Sequence, residues 1–139
     1  MQWGTGRRGR LQAEELPDLI VSTPPEFKGE PGFWTPEHLF VASAEACLMA
    51  TFRAIAEHSG LKLLGYRSTA RGRVEKVEGQ GLRFTEIGIY PSVELEKAED
   101  IGLAGRVMEK AANSCLIANS MAVGVQVEPK FAVATAVAA

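Results

Sequence analysis

Several things are scarce in this sequence. Only two histidines, His38 and His58, and two cysteines stand among its 139 residues. With no His/Cys/Asp cluster at ligand spacing, no metal site is expected. Aromatic residues make up 7% of the chain and the formal net charge is only −2. That near-neutral balance, with a pI near 5.7, leaves no electrostatic footprint for nucleic acid or acidic lipid, although Arg7, Arg8 and Arg10 form a local basic knot. No charge-free run of about 18 apolar residues occurs, and the start MQWGTGRRG lacks the apolar h-region of a signal peptide. No membrane partner is therefore expected, and the expected location is the cytoplasm. Neither a Walker loop nor a dinucleotide fingerprint appears, because GTGRRG lacks the strand, helix and acidic residue that give such glycines meaning. No internal repeat is visible.

What is present is enough apolar residue, 46% of the chain, for one globular domain spanning 1–139 with a real core. The stretch that organises it runs from Thr35 to Gly60, TPEHLFVASAEACLMATFRAIAEHSG. Thr35 suits a helix cap, Pro36 suits the first helical position, and Glu37 sits where the helix dipole favours an acid. Gly60 provides the stop. Between these ends the residues are apolar nearly all round, so most of this helix is expected to be covered by protein.

Around it the chain reads as an α+β domain. Residues 1–23 suggest a strand, a turn and another strand, and TPPEFKGEPGFW (23–34) is a proline- and glycine-broken loop. Its Phe27, Phe33 and Trp34 either pack on the core or line a pocket. After Gly60 the pattern alternates with period two. Leu61 to Val77, a turn at Gly79–Gly81, and Leu82 to Leu95 form an antiparallel hairpin extended by a further strand, with its charges mostly on a solvated face. A second helix begins between Glu96 and Asp100 and reaches Ser114, CLIANSM is a short turn or helix, and VGVQVEP is a closing strand. The tail from Phe131 either frays or adds a contact across an oligomer.

Cys47 lies in the middle of the first helix and Cys115 at the end of the second. A lone buried cysteine is ordinarily an inert small hydrophobe. If the two helices pack side by side, however, the two sulfurs can meet. On a continuous helix Glu37 and Cys47 are separated by about 15 Å of rise, so they cannot touch within one chain. An arginine must bridge them, or the glutamate must come from a partner.

The segment TPEHLFVASAEAC resembles the T-N-P-E-Q-L-F-A-A-x-x-x-A-C signature of the osmotically inducible protein C and organic hydroperoxide resistance (OsmC/Ohr) family. GRRGR near the N-terminus, NSCLIANS and the order of elements support the resemblance from about Gly4 to Val127. It implies antiparallel sheets around two long central helices, in an intertwined homodimer with active sites at the interface. It also implies a thiol peroxidase that reduces organic hydroperoxides. Cys47 would be the peroxidatic thiol, Cys115 the resolving thiol, Glu37 the active-site glutamate and Arg7 the active-site arginine, with Arg8 and Arg10 as competitors. No bound cofactor is implied, only an external dithiol reductant such as a lipoyl-type group. Phe33, Trp34, Phe40 and Met49 are the candidates for an apolar substrate pocket. The plainer uses are Arg7 as a surface charge and Glu37 as a helix N-terminal acid. The alternative function is a non-catalytic protein of the same fold that binds an apolar ligand.

Three positions depart from the family pattern. Leu116 replaces the proline after the second cysteine, Thr35-Pro36 replaces T-N-P, and Glu45 adds a charge two residues before Cys47. Glu45 would raise the thiol pKa if it faced the sulfur. A surface or interface ion pair is the structural alternative.

Overall fold

The computed structural model describes residues 1–134, and the chain divides into two compact units, Met1–Phe40 and the remainder from Val41. In the first unit, β1 (Gln2–Trp3), β2 (Arg8–Leu11) and β3 (Leu19–Ser22) form an antiparallel sheet in the order β1-β2-β3. One strand more is present than the glycine-broken sequence suggested, because Gly6 takes a left-handed φ of 61° and turns Trp3 back onto Gly9. The loop after β3 holds one 3-10 turn, Pro25–Phe27, and returns alongside the sheet through a bridge between Trp34 and Val21.

Helix α1 runs Pro36–His58. The Thr35 hydroxyl accepts the His38 N–H at 3.1 Å, the expected cap. At the other end Gly60 adopts φ 69°, and the Leu61 and Gly60 N–H groups donate to the Ala56 and Glu57 carbonyls at 2.9 and 3.1 Å, satisfying the last turn. Within this chain, only Ala44, Leu48, Phe52 and Ala56 on α1 are fully buried. They recur every four residues and make one stripe. Ala46, Met49, Ala50 and Ala54 are exposed, so the expectation of nearly complete cover fails for a single chain: its own elements pack on one side of the helix. By length and mean hydropathy (1.5), α1 is also long and apolar enough to cross a membrane, but Glu45 and Arg53 interrupt it and its buried stripe belongs to the core.

Strands β4 (Leu63–Val77) and β5 (Gly81–Leu95) make a single long antiparallel hairpin. What the sequence suggested as a further strand is the continuation of β5 through Pro91, which pairs with Ser68. Gly72 lets the helix approach: a Cβ there would come within 2.6 Å of Val41 and 2.9 Å of Phe84. A 3-10 turn, Ala98–Asp100, leads into α2 (Ile101–Ser114), and α3 (Leu116–Asn119) follows. The chain then adds β6 (Val125–Val127) and β7 (Lys130–Val133), both parallel to β5. The sheet is therefore mixed, and the tail does not fray at once, since Phe131–Val133 pair with Val93–Leu95. The rest of the tail lies outside the described residues. Ile89, Val93 and Leu95 of β5 and Ala104, Val107, Met108 and Ala111 of α2 close over the α1 stripe as one core.

Candidate active site

The core brings the two sulfurs together. Cys47 projects from α1 beside its buried stripe, and Cys115 occupies the break between α2 and α3, with φ −68° and ψ 107°. That extended residue ends one helix and starts the next, turning the first N–H groups of α3 toward the Cys47 sulfur. Both cysteines are free, Cys47 half-buried and Cys115 only 1% exposed. Cys115 Sγ lies 4.0 Å from the Ala44 carbonyl oxygen, and Cys47 Sγ lies 4.0 Å from the Thr51 hydroxyl one turn along α1.

The two thiols are electrostatically unequal. Burial pushes Cys47 upward. Hydrogen bonds from the Ile117 N–H, the Cys115 thiol, the Thr51 hydroxyl and the Leu116 N–H outweigh it, and the Cys47 pKa falls below the ordinary thiol value. Cys115 moves the other way. Burial raises it, and its hydrogen bond to Cys47 and the charge there add to the rise against the opposing N–H groups of Ala118 and Ile117. Cys47 is thus the thiol held toward its charged form, and Cys115 the one held toward its protonated form.

The three arginines have different partners. Arg7 is exposed and donates to the Phe27 carbonyl at 3.0 Å. Arg8 makes a bidentate pair with Glu30, at 3.0 and 2.7 Å. Its guanidinium carbon also stands 5.1 Å from the centre of the Phe33 ring. Arg10 pairs with Asp18 at 3.0 Å. The expected arginine pair of Glu37 is not formed. Among the described residues Glu37 has no ion pair, and its Oε2 is buried without a hydrogen-bond partner.

Glu45 is accounted for without an ion pair. The Ser68 hydroxyl on β4 donates to its Oε1 at 2.6 Å, and its charge acts on Tyr66 instead of on the thiol. Burial first, and then the Glu45 carboxylate, raise the Tyr66 hydroxyl against a lowering contact from Ser68. Of the pocket candidates, Phe33 is half-buried beneath Arg8, and Trp34 packs edge-on against His38 with centroids 6.2 Å apart. Trp34, Phe40 and Met49 are exposed at their surfaces. Met49 is two residues beyond Cys47, roughly 200° around the helix, so it does not line the surface on which its own chain's thiol sits. The sequence reading missed Glu30, whose loop position carries no signal, and Thr51, whose four-residue spacing from Cys47 does.

Fold and site together define an α+β protein built to hold two unlike thiols in contact. The sequence model of the OsmC-like protein family matches residues 29–130, and the chain belongs to that family. It is 27% identical over 128 residues to the uncharacterized protein YmaD of Bacillus subtilis, across 88% of this chain and 85% of the relative. Among solved structures it is similar to an OsmC-like protein of unknown function from Vibrio cholerae, with TM-score 0.82 and 22% identity over 89% of this chain and 84% of that one. It is also similar to the organic hydroperoxide resistance protein OsmC from Legionella pneumophila, with TM-score 0.70 and 24% identity over 94% of this chain and 93% of that one. At these identities the solved structures establish a shared fold.

Proposed function

We propose that this protein is a cysteine-based peroxidase that reduces organic hydroperoxides. The observation that carries the reading is the unequal pair, a half-exposed Cys47 held toward its thiolate and a buried Cys115 that keeps its proton. The Cys47 thiolate attacks the outer oxygen of the hydroperoxide, the O–O bond breaks, the inner oxygen leaves as an alcohol after taking a proton, and Cys47 becomes a sulfenic acid. Cys115 then attacks that sulfur, water leaves, and a Cys47–Cys115 disulfide forms. An external dithiol of the lipoyl type returns two electrons and two protons and is itself oxidised to a disulfide.

Arg8 is the better-prepared guanidinium, because Glu30 and Phe33 already fix its plane. We assign to it the role that the family resemblance gives an active-site arginine, stabilising the thiolate and the departing oxygen. Glu37 and Cys47 are ten residues apart on one helix, so a site using both draws Glu37 from the partner subunit. The exposed apolar side of α1 supports such a homodimer. Phe33, Trp34 and Phe40 are the apolar surface that favours an organic peroxide over hydrogen peroxide, and a reducing cytoplasm keeps the thiols free between turnovers.

The test is consumption of cumene hydroperoxide against hydrogen peroxide, with a dithiol present, in the wild type and Cys47→Ser. Turnover that prefers the organic peroxide and vanishes in the variant is expected. No turnover of either by folded, reduced protein would reject the peroxidase and leave a family member that binds an apolar ligand.

A further inference from the structure

The outer face of the hairpin carries a second concave site, on the side of β5 opposite to core residues Ile89 and Val93. A cleft of about 680 Å³ opens there, where β6 gives way to β7. Register places its cations. Arg67 pairs across the ladder with Ser92, and Ser92 pairs with Lys130 on β7. Directly opposed residues share a face, so two cations flank one hydroxyl, their backbones roughly 10 Å apart across two strand spacings. Neither Arg67 nor Lys130 has an ion-pair partner among the described residues, in contrast to the self-neutralising Arg73–Glu86 pair further along the hairpin.

Beside this cradle the sheet holds an aromatic floor. A Cβ at Gly88 would stand 2.5 Å from the Tyr90 hydroxyl oxygen, so the Tyr90 ring lies down over the space that the glycine leaves empty. Arg71, the cross-strand partner of Gly88, has its guanidinium carbon 5.9 Å from the centre of that ring. Glu128 is the one carboxylate in the lining, against the three cations Arg67, Arg71 and Lys130. The balance favours an anion, and the carboxylate suits an amino or ring N–H donor on the same ligand.

We propose that this cleft binds small organic anions that join an oxyanion to a planar ring, of the nucleoside monophosphate kind. The oxyanion sits between Arg67 and Lys130 on Ser92, and the ring stacks toward Tyr90 and Arg71. The site uses neither thiol, and binding is read directly, so its outcome is separate from that of hydroperoxide turnover.

The experiment is calorimetric titration of the full chain with AMP, ribose 5-phosphate, adenosine and inorganic phosphate at two salt concentrations. AMP is expected to bind saturably, more tightly than any of the other three, and less tightly at high salt. The double variant Arg67→Gln/Lys130→Gln, two exposed positions, should weaken AMP at least about tenfold, or about 1.4 kcal/mol, and leave adenosine unchanged. Tyr90→Leu should weaken AMP and adenosine together. Circular dichroism confirms that each variant is folded. Absence of saturable AMP binding at millimolar concentration, full affinity in the double variant, or inorganic phosphate binding as tightly as AMP would each overturn the proposal.

Discussion

Arg8 and Glu30 face each other through two parallel N–H···O contacts, one from Nε at 3.0 Å and one from Nη2 at 2.7 Å. Glu30 in turn is tied to the sheet, its backbone N–H donating to the Ser22 hydroxyl at 3.3 Å. The guanidinium is held in one orientation before any substrate arrives. A lysine cannot reproduce a planar two-pronged pair.

On that basis Arg8→Lys and Arg8→Ala should each lower kcat/KM for an organic hydroperoxide by about 10²-fold, and Arg7→Ala should change it less than about threefold. Glu30→Gln should produce an intermediate loss, since it leaves the guanidinium in place and removes one charge-assisted contact. Steady-state kinetics of the four variants ranks the arginines; an Arg7→Ala loss equal to that of Arg8→Ala would reverse the assignment.

Alkylation of Cys47 by iodoacetamide across pH reads its ionisation directly. The depressed pKa should place the inflection below that of an ordinary thiol, with reactivity persisting to lower pH and falling as acid protonates the thiolate. Cys115→Ala removes a donor to that thiolate and should slow alkylation at neutral pH by roughly two- to tenfold.

Leu116 supplies a backbone N–H to the Cys47 sulfur, which a proline lacks. Leu116→Pro should therefore fold, because the position opens α3 and the preceding Cys115 already has an extended ψ of 107°. Its Cys47 inflection should move upward relative to the wild type. An unchanged alkylation profile in the folded variant would remove Leu116 from the list of donors.

Phe52 is completely buried on α1 and packs against Tyr66 at a centroid distance of 5.8 Å. Phe52→Ala should cost about 3–5 kcal/mol, measured as a lower urea midpoint at unchanged slope. Met49→Ala, at an exposed position, should cost far less in a monomer. A large loss there, coupled to a change in molecular mass by ultracentrifugation, would mark the α1 face as the subunit contact.

The long helix and its two caps were legible because Thr35, Pro36 and Gly60 each have a local reason to be where they are. The hairpin was legible for the same kind of reason, alternation on either side of a glycine turn. Other features depended on distant parts of the chain. Whether Val125–Val127 and Lys130–Val133 run parallel or antiparallel to β5 is decided by where α2 and α3 deliver the chain. Nothing in those short strands records it. The meeting of Cys47 and Cys115 could be read only as a condition on helix packing, which the shared core fulfils. The pairing of Arg8 with Glu30 and of Arg10 with Asp18 depends on two loop and strand-flanking acids whose partners no local pattern announces.

Because β6 and β7 both take the same side of β5, they cover its edge at residues 87–89 and 92–95. On the opposite side of β5, β4 presents the longest outer edge of the sheet among the described residues. Arg67, Arg71, Arg73, Glu75 and Lys76 crowd that border, the three arginines on one face. A stray strand from an unfolding neighbour would have to strip water from several charges to dock there. The border thus works as a gatekeeper, open to a strand of matched charge pattern and closed to the indiscriminate pairing that leads to fibrils.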